Sequence, residues 1–252
     1  MKKPILKAYY GDIFFEFLIH DIKKDSIILL SGFPSSNCMD EIIYFLHEKG
    51  FNVFVPRYKG TFQSKGEFLK TNPIIDLVEF ITQLKKGRAT SLWNMKNISF
   101  EIGQIFVFGG SFGGSIGCAL AATSKDISKA VLATPVWDYE IHNKEFKEQD
   151  LNQLTKFVKR AFKNLYRYKF NSLPKEIKRF KEFSLPFYKK NLKTHTLVFH
   201  DPNDSAVSVE HSRRVVKYIK NIKLIETNTG HGLTIKLLDK YYPKIEAFLK
   251  IN

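Results

Sequence analysis

One stretch of sequence decides how the whole chain is interpreted: Ile105-Phe106-Val107-Phe108-Gly109-Gly110-Ser111-Phe112-Gly113-Gly114. Four apolar, strand-favouring residues lead into a Gly-x-Ser-x-Gly sequence, and residues 115–122 then predict a helix. A serine at such a sharp strand-to-helix turn holds a strained backbone, so glycines two residues before and after it let the two elements pass closely. The N-terminus of the helix favours negative charge at this serine. The pattern indicates a nucleophilic serine or, alternatively, an ordinary Gly-rich turn of an α/β protein.

Strand and helix patterns alternate along most of the chain. The strand pattern falls at residues 6–10, 13–19, 26–30, 51–55, 105–108, 130–134, 196–200 and 223–226. The helix pattern falls at residues 40–49, 73–86, 115–122, 209–219 and 234–249, and residues 87–103 predict a loop with a short hairpin. This alternation is typical of an α/β fold with a mostly parallel sheet, helices on both faces, and functional residues at the C-terminal ends of the strands.

The alternation stops between about residues 140 and 193. Apolar residues there fall at helical spacing on one face: Leu151, Leu154, Val158, Phe162 and Leu165. We therefore predict a single domain over residues 1–252 that carries an inserted helical lid at about residues 140–193.

The chain is strongly basic, with a formal net charge of +15 and a pI of about 9.6. The lid segment holds 15 basic and 6 acidic residues, which is more than half of the excess. Elsewhere lysines are scattered over nearly every segment, which indicates a compositional bias rather than a concentrated binding stripe. We expect no nucleic-acid partner, and we expect weak contact with an anionic membrane or polyanion only through the basic lid; the oligomeric state stays open.

The sequence contains no long apolar segment and few cysteines. No run approaches the roughly 18 apolar residues that span a bilayer, and the basic start of the chain lacks the apolar core of a signal peptide. We therefore expect a cytoplasmic protein. Two cysteines, Cys38 and Cys118, form neither a disulfide framework nor a zinc cluster, so we predict core packing for each. No Gly-rich phosphate loop is present, and we expect neither a metal nor a cofactor.

A serine nucleophile needs a histidine to take its proton and a carboxylate to orient that histidine. Downstream of Ser111, Asp204 follows the predicted strand 196–200, and His231 lies between two glycines after the last predicted strand. The chain order Ser, Asp, His is the one expected for a serine at a strand-to-helix turn. Asp201, on the same loop as Asp204, is expected to shape the turn, and Asp138 is an alternative acid.

An oxyanion formed at Ser111 needs two hydrogen-bond donors. We predict the backbone N–H of Phe112, directly after the serine, and the backbone N–H of Phe33 in the loop that follows strand 26–30. The alternative is that this loop is an ordinary turn. The remaining histidines are predicted to be structural or solvated: His20, His47, His142, His195, His200 and His211.

With these residues assembled, the chain resembles the α/β-hydrolase superfamily over nearly its whole length. The turn at residues 109–114 is similar to the nucleophile elbow of prolyl-oligopeptidase-type peptidases and related esterases. Arg57-Tyr58-Lys59-Gly60, with Ser64 and Gly66, is similar to the Arg-Gly-x-Gly-x-Ser-x-Gly loop of lysophospholipase-like and aminopeptidase-like members. Ser31-Gly32 stands where the family usually has His-Gly, and Lys59 and Phe62 interrupt the Arg-Gly spacing.

The resemblance implies a serine hydrolase that cleaves a small-molecule carboxylic ester through an acyl-enzyme, with Ser111, Asp204 and His231 as its catalytic triad. Thioesterase or peptidase activity on the same triad is the first alternative. The second is a binding protein without catalysis, or one that binds anionic surfaces, on a hydrolase scaffold. The lid is expected to set specificity and to form an apolar acyl pocket through its aromatic residues: Phe146, Phe157, Phe162, Tyr166, Phe170, Phe183 and Phe187.

Overall fold

The fold is described from a computed structural model that covers residues 3–36, 38–142 and 144–251. The strands are β1 (Leu6–Tyr10), β2 (Ile13–Leu18), β3 (Lys24–Leu30), β4 (Asn52–Pro56), β5 (Arg88–Thr90), β6 (Asn97–Ser99), β7 (Ile102–Gly110), β8 (Ile127–Ala133), β9 (His195–His200) and β10 (Ile222–Glu226). The α-helices are α1 (Asp40–Glu48), α2 (Pro73–Leu84), α3 (Phe112–Thr123), α4 (Leu151–Ala161), α5 (Leu173–Lys178), α6 (Leu185–Tyr188), α7 (Val209–Tyr218) and α8 (Ile235–Lys250).

Within the described residues, eight strands form one sheet in the order β1-β2-β4-β3-β7-β8-β9-β10. The strands from β4 to β10 in this order run parallel, whereas β1 and β2 form an antiparallel hairpin at the edge. The short strands β5 and β6 pair separately. The predicted α/β class with a mostly parallel sheet and an edge hairpin is confirmed.

The centre of the sheet is buried on both faces because successive strand residues point to opposite sides. In β3, Ile28 and Leu30 pack into the larger core cluster, on the side of α2 and α3. Ile27 and Leu29 pack into the other cluster with α1 and α8. Two apolar layers therefore cover the two faces of the central strands. The C-terminal ends of these strands remain free to carry loops.

The insertion segment (residues 140–193) lies between β8 and β9 and is helical, with α4, α5, α6 and two 3₁₀ turns. Backbone hydrogen bonds join it to the loop after β4: Phe62 N–H donates to Leu165 O at 2.7 Å, and Arg167 N–H donates to Gly60 O at 2.8 Å. The predicted apolar face is buried at Leu154 and Val158. It does not extend to Leu165, which is 44% exposed because α4 ends at residue 161.

The two cysteines differ in their surroundings. Cys118 is fully buried in α3, as predicted, whereas Cys38 is exposed in the loop before α1, so the prediction of core packing is wrong for Cys38. The sequence neighbours of Cys38 are mostly polar, among them Ser35, Ser36 and Asp40, so hydrophobic packing does not draw this residue into the core. None of the described helices is both long and apolar enough to cross a membrane.

The loop after β4 is anchored by a buried ion pair. Arg57 Nη2 lies 2.7 Å from Glu16 Oε2 of β2, and both side chains are less than 10% exposed. The guanidinium also lies over the rings of Phe14 and Phe62, 5.2 Å from each centroid. Ser64 Oγ accepts from Phe14 N–H and donates to Arg57 O. The Arg and Ser residues of this loop thus hold the loop, and through it the insertion segment, on the sheet.

Replacing Glu16 with alanine should destabilise the protein strongly, because a buried guanidinium that loses its partner costs about 3–5 kcal/mol. The measurement is the free energy of unfolding from urea denaturation. The control is Asp21→Ala, which breaks the exposed pair with Lys3 and should leave the denaturation midpoint nearly unchanged. Equal midpoints for the two variants would contradict the anchoring role of the Arg57 pair.

Candidate active site

The turn between β7 and α3 places Ser111 in a strained backbone conformation, with φ 54° and ψ −122°. Non-glycine residues seldom adopt positive φ, and such strain concentrates at functional sites. The turn is held by the backbone, since Ser111 N–H donates to Ala133 O at 2.9 Å. A Cβ at Gly113 would lie 2.6 Å from the carbonyl oxygen of Ser31, and one at Gly109 would lie 2.6 Å from the carbonyl carbon of Gly113. The flanking glycines are therefore required for the close approach of strand, helix and loop.

The structure brings both predicted oxyanion donors to this turn. Phe112 is the first residue of α3, and the loop after β3 comes so close that a Cβ at Gly32 would lie 3.6 Å from Ser111 Cβ. Among the described residues, the backbone N–H groups of Phe33 and Phe112 have no hydrogen-bond acceptor. Two free N–H donors thus flank the serine, as stabilisation of an oxyanion requires.

Asp204 and His231 form a hydrogen-bonded pair. His231 Nδ1 lies 2.7 Å from Asp204 Oδ2, and Asp204 Oδ1 accepts from the backbone N–H groups of Ala206 and Val207 at 2.8 and 3.1 Å. Burial on its own raises the pKa of Asp204, but the hydrogen bonds and charge of these partners outweigh it and hold the pKa below its ordinary value. The carboxylate therefore stays ionised and orients the imidazole.

Ser111 and His231 both line one cavity of about 690 Å³, named the main cavity. It lies at the C-terminal ends of the strands, where the loops after β3, β7 and β10 meet the start of α4. Asp204 is covered behind His231, with its side chain 0% exposed, whereas 35% of the His231 side chain is exposed. The arrangement places Ser111, the oriented imidazole of His231 and the loop with Phe33 around one space, and Phe112 follows directly after the serine.

Comparison with known proteins gives fold-level matches. No protein-family model matches the sequence, and neither does any curated protein. The esterase Pf2001 of Pyrococcus furiosus superposes with a TM-score of 0.68 at 18% identity, over 98% of this chain and 89% of that one. An acylaminoacyl peptidase of Pyrococcus horikoshii gives a TM-score of 0.68 at 15% identity, over 98% of this chain and 40% of that one. MGS-MChE2, an alpha/beta hydrolase enzyme from a lagoon-sediment metagenome, gives 0.62 at 12% identity, over 97% of each chain.

The chain has the α/β-hydrolase fold. Within this fold, the loops after β7, β9 and β10 carry Ser111, Asp204 and His231, in the chain order that the sequence predicts. The loop after β3 carries Phe33.

The two alternative acids, Asp201 and Asp138, accept hydrogen bonds from backbone N–H groups of nearby loops. Asp201 Oδ1 accepts from Asn203 N–H at 2.9 Å, and Asp201 Oδ2 accepts from Gly230 N–H at 2.7 Å, which ties the acid loop to the histidine loop. Asp138 Oδ1 accepts from Glu140 N–H at 2.8 Å. Each carboxylate thus satisfies backbone donors, and Asp204 is the carboxylate paired with His231.

His200 is buried beneath the acid loop. Its Nδ1 lies 2.8 Å from Ser212 Oγ and its Nε2 lies 2.9 Å from Val207 O, while its Nε2 is 3.9 Å from Asp204 Oδ2. Burial lowers the pKa of His200 in spite of the nearby carboxylate. A neutral imidazole therefore supports the loop that holds Asp204, in agreement with the structural role predicted for this histidine.

Thr134 is a site residue that the sequence analysis missed. It follows β8 with φ 46°, and its N–H donates to Phe199 O at 2.8 Å. Its hydroxyl accepts from Gly232 N–H at 3.0 Å and lies 3.3 Å from His231 Nδ1. The side chain therefore holds the histidine loop against the nucleophile turn. Its position at the C-terminal end of the strand next to β7 was the one signal available in the sequence.

A second missed group attaches the insertion segment to the acid loop. The buried Glu148 carboxylate lies 3.3 Å from His142 Nδ1 and 3.0 Å from His211 Nε2, and it accepts from Ser208 N–H at 2.6 Å. Burial, the largest influence, lowers the pKa of His142 against the attraction of Glu148. This cluster joins His142 and Glu148 to Ser208 and His211 at the start of α7.

Thr134→Val should slow the reaction of Ser111 with a fluorophosphonate about three- to tenfold. The valine has the same shape but leaves Gly232 N–H without an acceptor, and a net hydrogen bond is worth about 0.5–1.5 kcal/mol. Thr134→Ser keeps the hydroxyl and should react at nearly the wild-type rate. Equal rates for the valine and serine variants would show that the hydroxyl does not position His231.

Proposed function

We propose that the protein is a serine hydrolase that cleaves carboxylic esters through an acyl-enzyme on Ser111. One observation carries the proposal: His231, joined to Asp204 at 2.7 Å, shares the main cavity with a serine held at positive φ. A strained serine, an oriented imidazole and free N–H donors are the parts that acyl transfer needs.

The proposed reaction starts when His231 Nε2 takes the hydroxyl proton of Ser111 as Oγ attacks the ester carbonyl carbon. Asp204 accepts the hydrogen bond from His231 Nδ1–H and stabilises the imidazolium that forms. The N–H groups of Phe33 and Phe112 bind the oxyanion, and each donor of this kind is worth about 2.7–4 kcal/mol in the transition state. His231 then protonates the leaving alcohol, and a water molecule deprotonated by His231 releases the carboxylic acid and restores Ser111.

An ester is the first choice of substrate bond. The esterase Pf2001 is matched over 89% of its length, whereas the acylaminoacyl peptidase is matched over 40% of its length. The same triad can act on thioesters and amides. A panel of nitrophenyl esters, acyl-coenzyme A thioesters and aminoacyl amides separates these bond types by their kcat/KM values.

Labelling with a fluorophosphonate probe tests the nucleophile. We expect the wild-type protein to be labelled once, on Ser111, and Ser111→Ala to lose the label because Ser111 shares the main cavity with His231. The measurement is intact mass followed by peptide mapping. Ser205→Ala, which removes an exposed serine next to Asp204, is the matched control and should be labelled like the wild type.

Absence of labelling in folded wild-type protein would overturn the proposal. It would favour the alternative from another class, a binding protein without catalysis on a hydrolase scaffold. Retention of the label in Ser111→Ala would place the nucleophile elsewhere in the chain.

A further inference from the structure

A second, much smaller cavity opens beside Ser111. This side pocket has a volume of about 30 Å³, compared with about 690 Å³ for the main cavity. Phe33, Ser111 and Leu154 line both spaces, so the serine stands where the two meet. A substrate attached to Ser111 can therefore place one part in each cavity.

The position of His231 decides which part of the substrate enters which cavity. His231 and Gly232 line the main cavity, and neither is among the described residues that line the side pocket. The group that leaves must take its proton from the imidazole, so the alcohol lies on the main-cavity side. Phe112, whose N–H is an oxyanion donor, lines the side pocket. The acyl chain, which stays on Ser111 after the alcohol departs, is thereby directed into the side pocket.

The walls of the side pocket are mostly apolar, with His142 and Gln149 as polar members, and on one side they come from the insertion segment. Leu173 and Ile177 of α5 are each 1% exposed, and Leu154 of α4 is 7% exposed. On the other side, Val207 follows the acid loop and Tyr139 follows β8, and both are buried. A mostly apolar lining suits a hydrocarbon chain.

Hydrogen bonds behind the side chains fix these walls. Thr155 Oγ1 donates to Leu151 O at 2.7 Å and accepts from Leu173 N–H at 3.1 Å, which locks α4 to α5. Tyr139 Oη donates to Ser115 Oγ at 3.2 Å, and Ser115 Oγ donates to Val136 O at 2.8 Å. These bonds hold both helices and the loop after β8 in place around the pocket.

We infer that this protein is selective for esters of short carboxylic acids, and that Leu154, Leu173 and Ile177 set this limit. The inference rests on the proposed function. The side pocket, at about 30 Å³, is more than twenty times smaller than the main cavity of about 690 Å³, so it favours a short acyl chain over a long one. In the acylation step the Ser111 Oγ–carbonyl bond forms, the ester C–O bond breaks, and the alcohol leaves with the proton from His231. The acetyl or propionyl group remains in the side pocket until water releases it.

The test is the kcat/KM profile over p-nitrophenyl esters from acetyl to octanoyl, which share one leaving group. Active-site concentration is measured with a small fluorophosphonate. We expect kcat/KM for the acetyl and propionyl esters to exceed that for the octanoyl ester at least tenfold.

Leu173→Ala should raise the butyryl-to-acetyl ratio of kcat/KM at least fivefold, because it removes three carbon atoms from the wall. Ile177→Val enlarges the pocket less and should raise the ratio in the same direction, even where the alanine variant folds poorly.

Leu165→Ala is the matched control. Leu165 lies in the same insertion segment, is 44% exposed and does not line the pocket, so its replacement should leave the profile unchanged. A labelled enzyme that prefers octanoyl esters would overturn the inference and leave the proposed function standing. A wall variant whose profile matches that of Leu165→Ala would overturn the assignment of these residues. A folded protein that is neither labelled nor active on any ester would overturn both.

Discussion

The site depends on close backbone contacts around the turn between β7 and α3. A Cβ at Gly113 would meet the carbonyl of Ser31, and one at Gly110 would lie 3.1 Å from Gly232 Cα in the histidine loop. Glycine at these positions lets the loop after β3, Ser111 and the histidine loop converge on one point. Any side chain there would separate them by more than the few tenths of an ångström that hydrogen-bond geometry tolerates. The strained φ of Ser111 is maintained by this surrounding packing.

Much of this arrangement could be predicted from the sequence because it rests on local patterns. The buried strands are recognisable in the sequence as short apolar runs, and parallel strands bring their C-terminal loops to one edge of the sheet. The order of Ser111, Asp204 and His231 then limits the possible pairings, and the structure places Asp204 and His231 2.7 Å apart. The labelling and turnover that would establish their catalytic role are chemical properties, so the triad stays a proposal.

The parts that the sequence did not predict depend on contacts between distant segments. Thr134 looks like the end of a strand until the histidine loop, 97 residues later, is folded beside it. Glu148 is one acidic residue in a charged segment, and its burial becomes visible only when α7 lies against it. Cys38 and Leu165 are the converse case, because both were predicted to be buried and both are exposed, Cys38 in a polar loop and Leu165 beyond the end of α4. Local periodicity carries no information about which loop covers which.

The excess positive charge lies outside the site. No lysine or arginine is among the described residues that line the main cavity, where Asp150 caps α4, and Lys156, Lys159 and Arg160 of α4 are exposed. On the inner face of the insertion segment, Leu154 and Phe157 lie beside Gln149, Asp150 and Gln153 in the lining of the main cavity. The insertion segment thus has a solvated basic exterior, and apolar side chains contribute part of its lining at the site.

Trapping of the acyl-enzyme tests the account most directly. Wild-type protein is mixed with p-nitrophenyl acetate, quenched in acid during the initial burst, digested and mapped by mass spectrometry. The account predicts an acetyl group on Ser111, formed in step with nitrophenol release up to one equivalent and missing in Ser111→Ala. Nitrophenol release without acetylated Ser111, or an acetyl group that accumulates on another residue, would contradict it.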